Sequence, residues 1–218
     1  MWHPFDCPDV NSGRDLIGFF QKSAAWLKEN SAALKIDGVN LSFRLEEALE
    51  TSTGFEFVID RGSMKQLDLD GVTADNAHER FPPDEEGNEH GMVNATRTLL
   101  SIFNNALPEI LPELELLKMT QDSGPFGLYF NTEFVLKKIN VKEYPFDFIA
   151  IHGVRKFVQK TPRSRSYKEA DSDPNLLNTI KDKVEKYANE QGFKVFTKID
   201  AKQTKNINLD EALSTDFT

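Results

Sequence analysis

The sequence is poor in sulfur. A single cysteine, Cys7, stands among 218 residues, so no internal disulfide can form and no metal centre can be built on several thiolates. The expected compartment is the reducing cytoplasm. No stretch approaches the roughly 20 apolar residues needed to cross a bilayer. The N-terminal run Met1-Trp2-His3-Pro4-Phe5-Asp6 lacks the basic start and apolar continuation of a secretory signal. Neither a Walker A loop, nor a dinucleotide-binding glycine fingerprint, nor a Gly-x-Ser-x-Gly nucleophile elbow is present. The four histidines are dispersed and show no zinc-ligand spacing. Net positive charge is lacking too. The formal charge is -9, which argues against a protein that coats nucleic acid non-specifically. Contact through one local face stays open, because Asp68–Glu89 is strongly acidic while Lys137–Lys168 is net basic.

Hydrophobic residues make up 39% of the chain and phenylalanine occurs 17 times, enough for a packed core and too much for a disordered chain. Ser12 and Asp15 look like the start of a helix, and Ile17, Phe20, Ala24 and Leu27 continue it at helical spacing through Lys28. Ala33–Ile36 and Asn40–Leu45 read as two strands around a tight Asp37-Gly38 turn, and Gly54–Asp60 as a third in an antiparallel meander. Leu67–Asn88 reads as a polar loop excursion. Met92–Asn105 has helical periodicity, and Pro108 and Pro112 punctuate the stretch beyond it. Gly127–Val135 and Phe146–Ile151 read as strands, the second ended by Gly153. Thr161–Ser166 reads as a linker, Pro174–Asn189 as a polar helix and Phe193–Ile199 as a late strand.

One short run carries chemistry: Lys35-Ile36-Asp37-Gly38-Val39-Asn40. A lysine that attacks phosphorus must first lose its proton, so it needs a pocket that disfavours its charge or accepts the proton. A glycine turn beside it lets backbone approach a phosphate closely. The plain alternative is a solvated hairpin turn. The run resembles the first signature motif of the covalent nucleotidyltransferase superfamily, which comprises DNA ligases, RNA ligases and mRNA capping enzymes. Three further segments resemble that family's later motifs, in its order. Phe57-Val58-Ile59-Asp60-Arg61-Gly62-Ser63 looks like the motif whose arginine reaches the nucleotide's ribose. Tyr129–Val135 looks like the one whose acid, here Glu133, accepts from a ribose hydroxyl. Tyr144–Gly153 looks like the one whose aromatic ring stacks on the base, with Phe146 and Phe148 on one face at period two. Their plain alternatives are a charged strand end, an edge-strand glutamate facing water, and two core rings.

The resemblance covers about Ala33–Gly153. It implies an α+β fold, an antiparallel-sheet core like a ligase adenylation domain and unlike ATP-grasp, with flanking helices. It divides the chain into a helical lead-in (1–32), a nucleotidyltransferase core (33–158), and a linker with a partial extension (159–218). It implies that Lys35 attacks the α-phosphorus of ATP to give a lysine-AMP adduct, with Mg²⁺ or Mn²⁺ neutralising charge. Asp37, Gly38, Asn40, Arg61, Glu133, Phe146 and Phe148 would hold the nucleotide, and the adenylate would pass to a 5′-phosphate end of RNA or DNA. Asn40 in the last place of the first motif leans towards the RNA-ligase branch. Two later family motifs, an acidic Glu-Gly-x-Val strand and a Lys-x-Lys strand, are not found. A fragment of a longer protein is therefore expected, with slow or no adenylation by this chain. The competing reading is a catalytically incomplete nucleotide- or nucleic-acid-binding module of the same fold. The first motif, Asp60–Lys65 and His90-Gly91-Met92 together also resemble proteins of large tailed phages of marine bacteria.

Overall fold

Leu41, Phe43 and Leu45 alternate with Asn40, Ser42 and Arg44, so one strand presents an apolar face and a polar face. That strand lies one in from an edge of the sheet. The structure, a computed structural model, describes residues 9–29, 38–137, 144–161, 164–170 and 172–197. The chain divides into two units, Met1–Lys35 with Ala201–Thr218, and Ile36–Asp200. In the first, α1 (Gly13–Glu29) begins as its sequence implies. Ser12 Oγ accepts from the Asp15 amide at 3.2 Å, and the Asp15 carboxylate accepts from Ser12 Oγ at 2.7 Å and from the Asn11 amide at 3.3 Å.

The second unit is a mixed α+β structure with a six-stranded open sheet and flanking helices. Its elements are β1 (Val39–Glu47), β2 (Phe55–Ile59), α2 (Gln66–Asp70), α3 (Ala77–Arg80), α4 (Gly91–Leu116), β3 (Leu128–Val135), β4 (Asp147–Thr161), β5 (Ser164–Glu169), α5 (Pro174–Glu190) and β6 (Phe193–Thr197). The strand order is β2-β1-β3-β4-β5, all antiparallel, and β6 pairs in parallel with the start of β4. The apolar face carries the core. Phe43 packs against Phe57, Phe103 and Phe130 at centroid distances of 5.2, 4.5 and 5.2 Å. Phe103 comes from α4, whose buried stripe continues through Ala106, Leu107, Ile110 and Leu114. No described helix is long and apolar enough to cross a membrane.

Several sequence expectations need revision. The strand expected at Ala33–Ile36 lies outside the described residues. The helix expected to stop before Pro108 runs on through Pro108 and Pro112 to Leu116. The buried stripe beneath the two prolines outweighs the amide bonds they remove. The excursion after β2 is not structureless. It holds α2 and α3 and bridges back to β2 through Val72, where Ile59 and Val72 exchange two 2.9 Å backbone bonds. Gly153 does not end its strand. It takes φ 139° beside a register shift opposite Asn131 and Thr132, a bulge that only glycine enters without strain. Of the expected linker at Thr161–Ser166, Thr161 closes β4 and Ser164–Ser166 open β5.

The outer edge of β2 is covered rung by rung. Phe55 O accepts from the hydroxyls of Thr51 (2.9 Å) and Thr53 (3.0 Å). The Phe57 amide donates to Asn104 Oδ1 at 2.6 Å, and Asn104 Nδ2 donates back to Phe57 O at 3.3 Å. Ile59 is the residue bridged to Val72.

Truncating the fully buried Phe43 to alanine should cost about 3–5 kcal/mol in denaturant unfolding. Leu49→Ala, at a site 90% exposed, should stay within about 0.5 kcal/mol of the parent.

Candidate functional site

The polar face of the sheet lies opposite the α4 core, and its side chains are placed by strand register. Asn40 lies directly opposite Glu133, and Ser42 opposite Asn131. Tyr129 lies opposite Arg155, and Glu133 opposite Ala150. Residues opposed in register share a face, so Asn40, Ser42, Arg44, Tyr129, Asn131, Glu133 and Arg155 form one polar surface. β5 bends over this surface and brings Arg165 and Tyr167 onto it.

The bend closes on Asp60, just past the end of β2. Its carboxylate is fully buried. It accepts from Arg165 Nη2, from the Tyr129 hydroxyl (3.0 Å) and from the Gly62 amide (2.7 Å), with Arg44 Nη1 at 3.6 Å. Arg165 Nη1 also donates to Pro125 O (2.8 Å) and Tyr129 Oη (3.1 Å). Arg44 donates to Glu46 and to Leu69 O (2.7 Å). Burial works against the Arg165 cation, but the Asp60 carboxylate outweighs it and raises its pKa. Burial, then the Asp60 charge, pushes the Tyr129 phenol up from its ordinary value. The same two causes push Tyr167 up to about 12.

Of the residues that the sequence singled out, Gly38, Asn40, Arg61 and Glu133 gather at one end of this face. A Cβ on Gly38 would stand 2.6 Å from Val135 Cγ2, 2.8 Å from Phe134 O and 3.3 Å from Glu133 Oε2. Only glycine therefore lets β1 start this close to β3. Asn40 Nδ2 donates to Asn131 Oδ1 at 3.0 Å. Arg61 donates to Asn40 O. Phe148 stands on the same face but is 5% exposed, packed in a small apolar cluster with Val135 and Ala150. Phe146 is half-buried beside it, with Lys194 Nζ 4.2 Å from its ring centroid. Lys35 and Asp37 lie outside the described residues.

Asn40, Ser42, Asp60, Arg61, Gly62, Arg155, Arg165 and Tyr167 line a cavity of about 270 Å³. Three guanidiniums face one carboxylate there, in a chain of net charge -9. The chain matches no family model, no curated protein and no solved structure. Among the described residues no three His, Cys, Asp or Glu side chains converge as a metal cage.

The Asp60–Arg165 pair is not among the sequence expectations, in which Arg165 falls within the linker read at Thr161–Ser166. A signal was present: Arg165, Ser166 and Tyr167 alternate at period two. That period sends Arg165 and Tyr167 to the same face.

The raised tyrosines have a consequence at high pH. A phenol whose folded pKa exceeds its unfolded value keeps its proton longer in the folded state, so stability falls as pH rises between the two values. Alkaline destabilisation between about pH 10 and about pH 12 should be shallower in Tyr167→Phe than in the parent, read as urea midpoints at about pH 9 and about pH 11.5.

Proposed function

We propose that this chain carries the nucleotide-binding core of an ATP-dependent nucleotidyltransferase that works through a lysine-AMP intermediate, with Lys35 as nucleophile. The observation that supports this reading most is the convergence of residues from three strands. Asn40 on β1 is in register with Glu133 on β3, and Arg61, just past β2, reaches the Asn40 carbonyl. The sequence motifs named these three separately, with a separation of 21 residues from Asn40 to Arg61 and the whole of α4 before Glu133. An accidental string of hairpin turns would have no reason to bring them together. Lys35 stands three residues before Gly38 in the chain, and Gly38 is the point where β1 presses on β3 without room for a side chain.

In this reading the deprotonated Lys35 amine attacks the α-phosphorus of ATP. A nitrogen–phosphorus bond forms, the bond to the bridging oxygen breaks, and pyrophosphate leaves with the electron pair. The base lies towards the Phe146 end of the face, and Arg61 and Glu133 hold the ribose. The adenylate then passes to the 5′-phosphate of an RNA or DNA end. A reaction on ATP and nucleic-acid ends belongs in the cytoplasm, that of the host cell if the protein is phage-encoded.

The protein should bind ATP in calorimetry, and Arg61→Ala and Glu133→Ala should each weaken binding by about 10-fold, the scale of one charge-assisted hydrogen bond. With ATP and Mg²⁺, intact-mass analysis should show an added adenylate that both Lys35→Ala and Lys35→Arg abolish, since arginine keeps the charge but cannot lose its proton to attack. Mapping of the adduct to another lysine refutes the nucleophile. ATP binding with no adduct supports a binding module of the same fold, and no ATP binding overturns both readings.

A further inference from the structure

The cavity is small for a ligand site, and its lining is charged. Sites for whole small molecules run about 300–1,000 Å³, and this one is about 270 Å³. Its walls are polar and carry three arginines against one carboxylate, which disfavours an apolar fragment. We propose that the cavity is a binding site for a phosphomonoester dianion, with Arg155 as the clamp at its mouth and Arg165 as the buried cation behind it.

Each guanidinium is differently engaged. The Arg165 side chain is fully buried and spends both terminal nitrogens on Asp60, Tyr129 and Pro125. Its Nε is buried and has no hydrogen-bond partner among the described residues, and neither has the Tyr167 hydroxyl. Both residues line the cavity. A buried donor without an acceptor is costly, and an anion in the cavity supplies acceptors. Arg155 makes a 3.4 Å contact with Glu169, a partner that is itself 59% exposed, so its remaining donors are available at the mouth. Arg61 uses one donor on the Asn40 carbonyl. Partial burial and then the nearby Arg80 cation hold its pKa below the ordinary arginine value. An anion relieves that crowding.

The lone carboxylate of the wall, Asp60, does not repel a ligand as a free one would. Arg165, Tyr129 and the Gly62 amide already occupy its oxygens. A planar guanidinium fork matches the oxygens of a phosphate better than an ammonium does, and every cation of this wall is an arginine. A terminal phosphate carries close to two charges above about pH 6, against one for an internal diester. A wall with three guanidiniums against one engaged carboxylate therefore selects a chain end or a free phosphate over the backbone of a strand.

The test uses inorganic phosphate, a 5′-phosphorylated trinucleotide, the same trinucleotide with a 5′-hydroxyl, and AMP, with binding read by calorimetry on the whole chain. Phosphate should bind, more tightly at about pH 7.5 than at about pH 5 and more weakly as salt rises. Arg155→Gln, at a partly exposed site that the fold tolerates, should weaken it about 10-fold or more. Lys156→Gln should leave it unchanged, since Lys156 is the next residue on β4 and pairs with Asp122 at 3.2 Å. Displacement of phosphate by the 5′-phosphorylated trinucleotide and not by AMP identifies a strand end as the source. Displacement by AMP alone identifies a free nucleotide. No phosphate binding, equal binding by Arg155→Gln, or equal binding of the 5′-phosphoryl and 5′-hydroxyl strands overturns the site. The Lys35 adduct is scored separately in the same proteins. Loss of the adduct with phosphate binding intact sinks the transfer reading and leaves this one standing.

Discussion

The Asp60 carboxylate is the contact on which the polar half of the sheet depends. Taking an ionised carboxylate out of water costs several kcal/mol unless cations and donors replace the lost hydration. Here Arg165 and Arg44 supply the cations, and Tyr129 and the Gly62 amide supply further donors. Arg165 is 105 residues away in the chain, so satisfying one buried charge pins β5 to the end of β2. Beside that pin Tyr167 lies close over Gly62, where a Cβ would stand 3.0 Å from the ring. Such a network is demanding, because removal of either partner strands the other charge in the interior. It also admits few alternative packings.

The two faces of the sheet divide the work. The face under α4 is closed by phenylalanines and gives the unit its stability. The other face holds its charges in a definite geometry and leaves a recess between them. The net charge of the chain conceals this. Acidic residues crowd the segment after β2, where Asp68 is itself buried and held by Arg80 through 3.0 and 3.3 Å contacts and by Ser63. The arginines of the recess come from β4, β5 and the end of β2.

Much of the architecture is legible in the residue pattern. The Ser12–Asp15 start of α1, the alternation of β1 and β2, and the Asp173-Pro174 start of α5, where Asp173 accepts from the Asn175 amide at 2.9 Å, are all local signals. The failures are failures of locality. Pro108 and Pro112 are strong local stops, yet a stripe of buried side chains from Phe103 to Leu114 holds the helix together across them. Gly153 is a strong local stop too, yet β3 pairs with β4 on both sides of it and β5 continues the pairing beyond. For the site, the order of motifs named Asn40, Arg61 and Glu133, which register then brings together. Arg165 and Tyr167 escaped notice because their role comes from a partner 105 residues upstream of Arg165, and no window of sequence contains both.

The covering of β2 has a meaning for the molecule in a crowded cell. A sheet with a bare edge invites the strand of another chain and can grow into fibres. Along β2 the backbone groups of Phe55, Phe57 and Ile59 are each taken by Thr51 and Thr53, Asn104 or Val72. One of these guards is a single amide side chain on a helix. Loss of Asn104 would uncover an amide and a carbonyl side by side on a phenylalanine-rich strand, a nucleus for fibrillar assembly rather than a simple loss of fold. At the far side, the β5 rim ends in Lys168 and Glu169, whose alternating charges discourage docking by strands that lack the matching pattern.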